Sequence, residues 1–195
     1  MSGTDDPPAH AGRATLRASY PLHPGALRLR GSGASLDWAQ DREPDERDGA
    51  TSVFHLEVPR GEAIELKVVR DDGAWMVGRN AVIGCGDTLE LHPTFDRASG
   101  RLTETMELAV PGGRPLRYRV LLPPSYDEQP VLRFPVMYVQ DGQAVWNDSM
   151  DPFGRWGLDG VLDELWELGA MAEVLVVSIE TAVDRLALLR PGAEG

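Results

Sequence analysis

The stretch from Val131 to Glu180 constrains this chain more than any other part of it. Phe134-Pro135-Val136-Met137-Tyr138-Val139 is an apolar run too short for an ordinary helix, and Asp141-Gly142 closes it. It predicts a strand buried on both faces. From Leu158 to Leu168, the residues Leu158, Val161, Leu162, Leu165 and Trp166 recur at helical spacing, with Asp159, Asp163, Glu164 and Glu167 opposite. That predicts a helix with one dry face, stopped at Gly169, where a left-handed residue is expected. Val174-Leu175-Val176-Val177-Ser178-Ile179 reads as a second buried strand. Strand, helix and strand of this length close as a right-handed crossover between parallel strands, a βαβ unit.

These residues carry a resemblance. The order PVMYVQDGQ, FGRWGLDGVLDELWELG, then VLVVSIE with Asp184-Arg185 beyond it resembles the enterochelin-esterase-like branch of the α/β-hydrolases. Tyr118-Arg119-Val120-Leu121-Leu122-Pro123-Pro124-Ser125-Tyr126 is similar to the strand and PPSY turn that open that domain. The resemblance implies an α/β sheet and hydrolysis of small carboxylic esters through an acyl-serine intermediate. It also implies a G-x-S-x-G elbow after the second strand, then an acid and a histidine. None of these follows here, and Leu186 to Gly192 departs from the family pattern. The expectation is a fragment or truncated product, inactive alone.

Charge narrows the partners. With 31 acidic against 19 basic residues the net charge is −12, which disfavours nucleic acid and anionic membranes. Cys85 is the single cysteine, so no intrachain disulfide can form. No secretory h-region and no membrane-length apolar run is visible, so a cytoplasmic location is expected.

Residues 1–20 are polar, with Asp5-Asp6-Pro7-Pro8, and read as a disordered leader. From residue 21 to 95 short alternating segments recur. They are 26–30 before Gly31-Ser32-Gly33, then 53–58, 63–69, 75–78 and 88–93, with a turn at Asp71-Asp72-Gly73 and a charged loop over 40–50. This predicts an antiparallel, immunoglobulin-like β-sandwich. LRLRGSGASLDW and FHLEVPRGEAIELKVVRDDGAWMVGRN resemble a starch- or glycogen-binding module over residues 24 to 95. A linker at 96–100 leads to a strand over 102–110 and its return over 116–122. Residues 96–195 are thus read as the first part of an α/β-hydrolase domain.

Two groups of residues could carry chemistry. Asp141-Gly142-Gln143 lies where α/β sheets place function. Alone it reads as a turn; by resemblance, the backbone N–H of Gln143 would be an oxyanion-hole donor, with Asp141 and Gly142 shaping the loop. No serine (Ser32, Ser125, Ser149 or Ser178) has elbow context, and His10, His23, His55 and His92 all precede this segment. So no nucleophile is assigned, and no metal or cofactor is expected: there is no H-x-x-x-H, C-x-x-C or EF-hand spacing. The second group is Trp38, Trp75 and Asn80. By resemblance the two indoles would stack on a sugar ring and Asn80 would bond its hydroxyls; the competing reading makes both tryptophans sandwich core. Trp146, Trp156 and Trp166 read as packing or a cleft wall.

The whole reading is a β-sandwich followed by a partial α/β-hydrolase sheet. Its functions are ester-hydrolase ancestry or, alternatively, non-catalytic glycan binding. A single helix would leave the second sheet with one bare face and an open edge, and self-association is expected there.

Overall fold

The computed structural model describes residues 11–33, 35–152 and 154–181. The chain divides into two compact units. Of the described residues, the first holds those up to Asp96 together with Asp127–Pro130; the second holds Arg97–Tyr126 and those from Val131 on.

The first unit is built from β1 (Ala11–Ser19), β2 (Leu27–Ser32), β3 (Glu46–Asp48), β4 (Thr51–Pro59), β5 (Ala63–Arg70), β6 (Ala81–Gly84) and β7 (Thr88–Leu91). One sheet runs β3-β4-β1-β7 and the other β2-β5-β6. Their inner faces share one core, with Leu16, Phe54, Leu56 and Val58 from the first sheet and Leu27, Leu29, Leu66 and Val68 from the second. Alternate residues of each strand therefore face inward, as two sheets packed face to face require. All pairings are antiparallel except β1 with β7, which run parallel from Thr15↔Thr88 to Ala18↔Leu91. Ser52 on β4 is buried, and its hydroxyl accepts the Leu27 N–H of β2 at 3.2 Å, a polar tie between the sheets.

Three expectations change here. Residues 11–19 are not leader but β1, an interior strand paired on both sides; residues 1–10 lie outside the described residues. The return strand expected over 75–78 is only a bridge, Val69↔Trp75. Gly78 turns the chain away at φ 77°, and β6 takes the place beside β5. The charged loop over 40–50 contains β3, which forms a hairpin with β4. In addition, β2 continues through Gly31 to Ser32. A side chain at Gly31 would meet the Glu65 carbonyl at 2.3 Å, so this glycine permits close strand approach rather than ending the strand.

The segment Asp127–Pro130 belongs to the first unit, where Glu128 and Gln129 are buried. The Glu128 carboxylate accepts from the Tyr20 hydroxyl at 2.9 Å and from the N–H groups of Phe95 and Asp96 at 2.7 and 3.0 Å. The Gln129 amide donates to the carbonyls of Ser19 and Pro93 at 3.1 and 2.9 Å. Burial first, then the Glu128 carboxylate, push the Tyr20 phenol up to about 12.

The second unit has β8 (Arg101–Leu102), β9 (Met106–Leu108), β10 (Leu116–Leu122), β11 (Val136–Gln140), α1 (Gly142–Val145), α2 (Leu158–Glu167) and β12 (Leu175–Ile179). Strand order is β11-β12-β10-β8, with β9 also on β10. β11 and β12 are parallel from Val136↔Leu175 to Gln140↔Ile179, joined through α2. β10 is antiparallel to β12, so the sheet is mixed, not the parallel sheet expected. The strand expected over 102–110 is broken into β8 and β9. Between them Thr103 turns its side chain to the sheet, and its hydroxyl accepts the Val120 N–H at 2.9 Å.

One face of this sheet packs on Trp146, Leu162 and Trp166, with Leu121 and Val176 beneath them. The other face is bare at β11, where Val136 is 47% and Tyr138 71% exposed. The expectation that β11 is buried on both faces therefore fails, because only one layer covers the sheet among the described residues. The α2 stripe is also narrower than its sequence suggests. Leu162 and Trp166 are buried, whereas Val161 is exposed. Gly169 ends the helix at φ 61°, with its N–H on the Trp166 carbonyl. Among the described residues no helix is long and apolar enough to cross a membrane.

Candidate functional site

Trp38 and Trp75 come together on the outside of the first unit, each displayed by an anchor beside it. After β2 the chain turns at Gly33, whose carbonyl accepts the Leu36 N–H at 2.8 Å; Leu36 is buried. Asp37 then caps the Ala39 N–H through its carboxylate at 2.7 Å, and Trp38 points outward. Trp75 follows the Asp71-Asp72-Gly73 turn, with Met76 beside it buried in the core and bonded through its N–H to Val68. The two indoles are near-parallel, 17° apart in plane with centroids 6.5 Å apart. They are 37% and 39% exposed, far more than the core side chains of this unit, which rules out the core reading.

The surroundings of the pair are charged yet internally matched. Arg30 lies over the Trp75 ring, 4.9 Å from its centroid, and donates through Nε to Asp41 at 2.5 Å. Lys67 donates to the carbonyls of Met76 and Gly78 at 3.2 and 2.8 Å, holding the backbone that carries Trp75. Arg28 pairs with Glu43 at 2.7 Å. Asn80 donates to Glu65 at 3.4 Å, a long bond. Sequence reading found the two tryptophans and Asn80 but not Arg30, Lys67 or Asp41. The alternation Leu27-Arg28-Leu29-Arg30 marked Arg30 only as outward-facing; its ring contact depends on tertiary structure.

The Asp141-Gly142-Gln143 loop sits at the C-terminal end of β11. Asp141 is left-handed at φ 60°, and its carboxylate accepts from the Thr181 hydroxyl. Gly142 is buried; a Cβ there would fall 2.9 Å from the Ile179 carbonyl carbon and 3.0 Å from the Glu180 nitrogen. The Gln143 side chain pairs with Thr181 twice, at 3.3 Å each, and its N–H lies in the first turn of α1. The loop is thus tied to the end of β12, beside the neighbouring parallel strand.

The serines near it have other work. Ser178 is buried, accepting the Trp146 indole N–H at 2.9 Å and donating to the Arg119 carbonyl. Ser149 accepts the Trp146 backbone N–H at 3.1 Å. Ser125 is buried on Glu173, whose carboxyl burial pushes above the usual range against the pull of that hydrogen bond. Asp148 is held below its ordinary value by the hydrogen-bonded Arg119 guanidinium, at 2.8 and 3.0 Å. Residues 97–195 contain no histidine. In the first unit Thr15, His55 and Glu46 form a hydroxyl–imidazole–carboxylate chain at 3.3 Å per step. It lies on the face of paired strands, where the Thr15 N–H is already given to Asp87. Of the remaining tryptophans, Trp146 and Trp166 are core and Trp156 is exposed. Among the described residues no group of three His, Cys, Asp or Glu could hold a metal ion.

No protein-family model matches the sequence. No curated protein matches it either. Solved structures with partial likeness include a family 15 glycoside hydrolase glucoamylase from Hypocrea jecorina, at TM-score 0.37 and 12% identity over 48% of this chain and 19% of that one. A DUF3823 family protein from Parabacteroides merdae aligns at TM-score 0.29 and 11% identity over 60% of each chain. A thermostable esterase aligns at TM-score 0.29 and 10% identity over 87% of this chain and 57% of its own. The chain spans less than two thirds of each of these proteins. Likeness at such scores carries no function across.

Proposed function

We propose that the first unit binds neutral glycan chains, with Trp38 and Trp75 as the stacking surface and Asn80 as a polar contact. The observation that carries this is the pair of near-parallel indoles, both more than a third exposed, on loops anchored by buried neighbours. A flat ring face covers the C–H face of a sugar, and an amide can donate to and accept from hydroxyls. Neutral rather than acidic sugars fit, because Arg28, Arg30 and Lys67 are already engaged by Glu43, Asp41 and two carbonyls, and the chain carries −12 overall.

Affinity electrophoresis tests it, using gels cast with soluble starch, glycogen or, as an acidic control, carboxymethylcellulose. The wild type is expected to be retarded by a neutral polysaccharide. Trp38→Ala and Trp75→Ala should each weaken binding about tenfold or more, as loss of a central aromatic anchor does. Unretarded wild type in both neutral gels would end this reading.

The Asp141 turn favours a second reading, in which the second unit descends from carboxylic-ester hydrolases acting on small esters. Its support is the left-handed Asp141 and the closely packed Gly142, which put the Gln143 N–H in a first helical turn at the ends of two parallel strands. A working mechanism needs a histidine, which residues 97–195 do not contain. Hydrolysis of p-nitrophenyl acetate and butyrate is therefore expected to equal that of Gln143→Pro. Turnover abolished by that substitution would instead reveal an active site.

A further inference from the structure

We propose that Arg30, oriented by Asp41, is a positioning residue for the Trp38–Trp75 surface: its guanidinium lies on the Trp75 indole and fixes the plane that the ring offers to a ligand. The inference deepens the glycan reading and rests on it for the identity of that ligand.

The argument begins with strand register. β2 and β5 pair so that Arg30 stands directly opposite Lys67. Two cations facing each other across a strand pair are unfavourable, so this register needs a compensating use for both. Each has one, and both uses converge on the same loop. Lys67 holds the backbone after Trp75 through the carbonyls of Met76 and Gly78. Arg30 holds the ring itself, at 4.9 Å from its centroid.

An indole more than a third exposed is free to change rotamer unless something holds it, and ordering it on binding would cost affinity. A guanidinium is suited to that task. It is planar and weakly hydrated, and it stacks on aromatic faces more readily than an ammonium does. Asp41 completes the device by accepting the Arg30 Nε–H at 2.5 Å, which sets the orientation of the guanidinium plane. Asp41 also lies 3.6 Å from Arg28, so its carboxylate bridges the two outward arginines of β2. The backbone next to it is fixed as well: Arg42 and Leu29 exchange N–H and carbonyl at 2.9 and 3.0 Å. Asp41 is thus held against β2, and the chain Asp41–Arg30–Trp75 links the loop after Trp38 to the second indole.

The test compares the full chain with Arg30→Gln, Arg30→Lys and Asp41→Asn by two readouts. The first, made without glycan, is the near-ultraviolet circular dichroism band that disappears in Trp75→Phe, which isolates this indole from the other four. The second is affinity for maltoheptaose by titration, with thermal melts to show that each variant is folded. Arg30→Gln is expected to reduce the Trp75 band and weaken binding about two- to fivefold, the range of an exposed cation–π contact. Arg30→Lys should recover part of both, and Asp41→Asn should lose part of both.

An unchanged band and unchanged affinity in Arg30→Gln would overturn the proposal while leaving the glycan reading intact. Tighter binding in Arg30→Gln would also overturn it, since the guanidinium would then occupy the face that a sugar needs. Wild type that fails to bind, together with a band that still depends on Arg30, would overturn the glycan reading and support the positioning role.

Discussion

At the scale of single residues, a glycine and a glutamate of the second unit each have a measurable consequence. Gly142 has no room for a methyl group, because the atoms that it would meet belong to the β12 backbone and cannot swing aside. Gly142→Ala is expected to destabilise the unit by about 1–3 kcal/mol, as overpacking does, read as a lower urea midpoint. Glu173 gives a pH signature. Burial raises its carboxyl above the unfolded value, so the folded state holds the proton more tightly than the unfolded chain does. Its contribution is therefore full below the ordinary carboxyl range and is lost as pH rises through the raised value. The melting temperature of wild type relative to Glu173→Gln should fall as pH increases from 4 to 7. Asp148, held low by the hydrogen-bonded Arg119, has the opposite sign: its stabilisation is present above the ordinary carboxyl range and is lost as pH falls through the lowered value. In the sequence Asp141-Gly142 was legible as a sharp turn, but the backbone that crowds Gly142 was not. That crowding comes from β12, more than thirty residues further on.

At the scale of elements, the periodic signals were read well where the side chains were large. α2 runs over Leu158–Glu167 and β12 over Leu175–Ile179, close to the spans that their apolar spacing predicts. β1 was missed because its inward positions are Ala14, Leu16 and Ala18, which alternate correctly but carry little apolar bulk. Two alanines among arginines, threonine and serine look like a polar leader until β4 and β7 are placed on either side. Glu128 and Gln129 escaped for a related reason. In the sequence they are polar residues of a loop, and only their partners Tyr20, Phe95, Asp96, Ser19 and Pro93 make them interior. Gln129→Ala should take its donor from the buried Pro93 carbonyl and from the half-buried Ser19 carbonyl, and cost the first unit about 1–3 kcal/mol, measured by chemical denaturation. The tryptophan pair was half legible: its residues were identified, while its exposure and its arginine were supplied by the fold.

At the scale of the whole molecule, the sheet of the second unit presents Val136 and Tyr138 to solvent on β11, its edge strand among the described residues. An uncharged edge with exposed apolar side chains favours association with another strand. We expect sedimentation velocity to show a concentration-dependent shift to larger species, reduced in Tyr138→Arg. A single species at every concentration would contradict it.

The burial of Glu128 and Gln129 in the first unit also has a consequence for how the protein is made. The strands of that unit are all synthesised by Leu91, yet Glu128, which accepts the Phe95 and Asp96 N–H groups, comes more than thirty positions later. At roughly 5–20 residues per second, a nascent chain on the ribosome must wait about 2–7 s between the two. During that interval the sandwich is complete in strands but open at the place that Glu128 and Gln129 will fill. Those seconds are the period in which a chaperone or a second nascent chain could reach its interior.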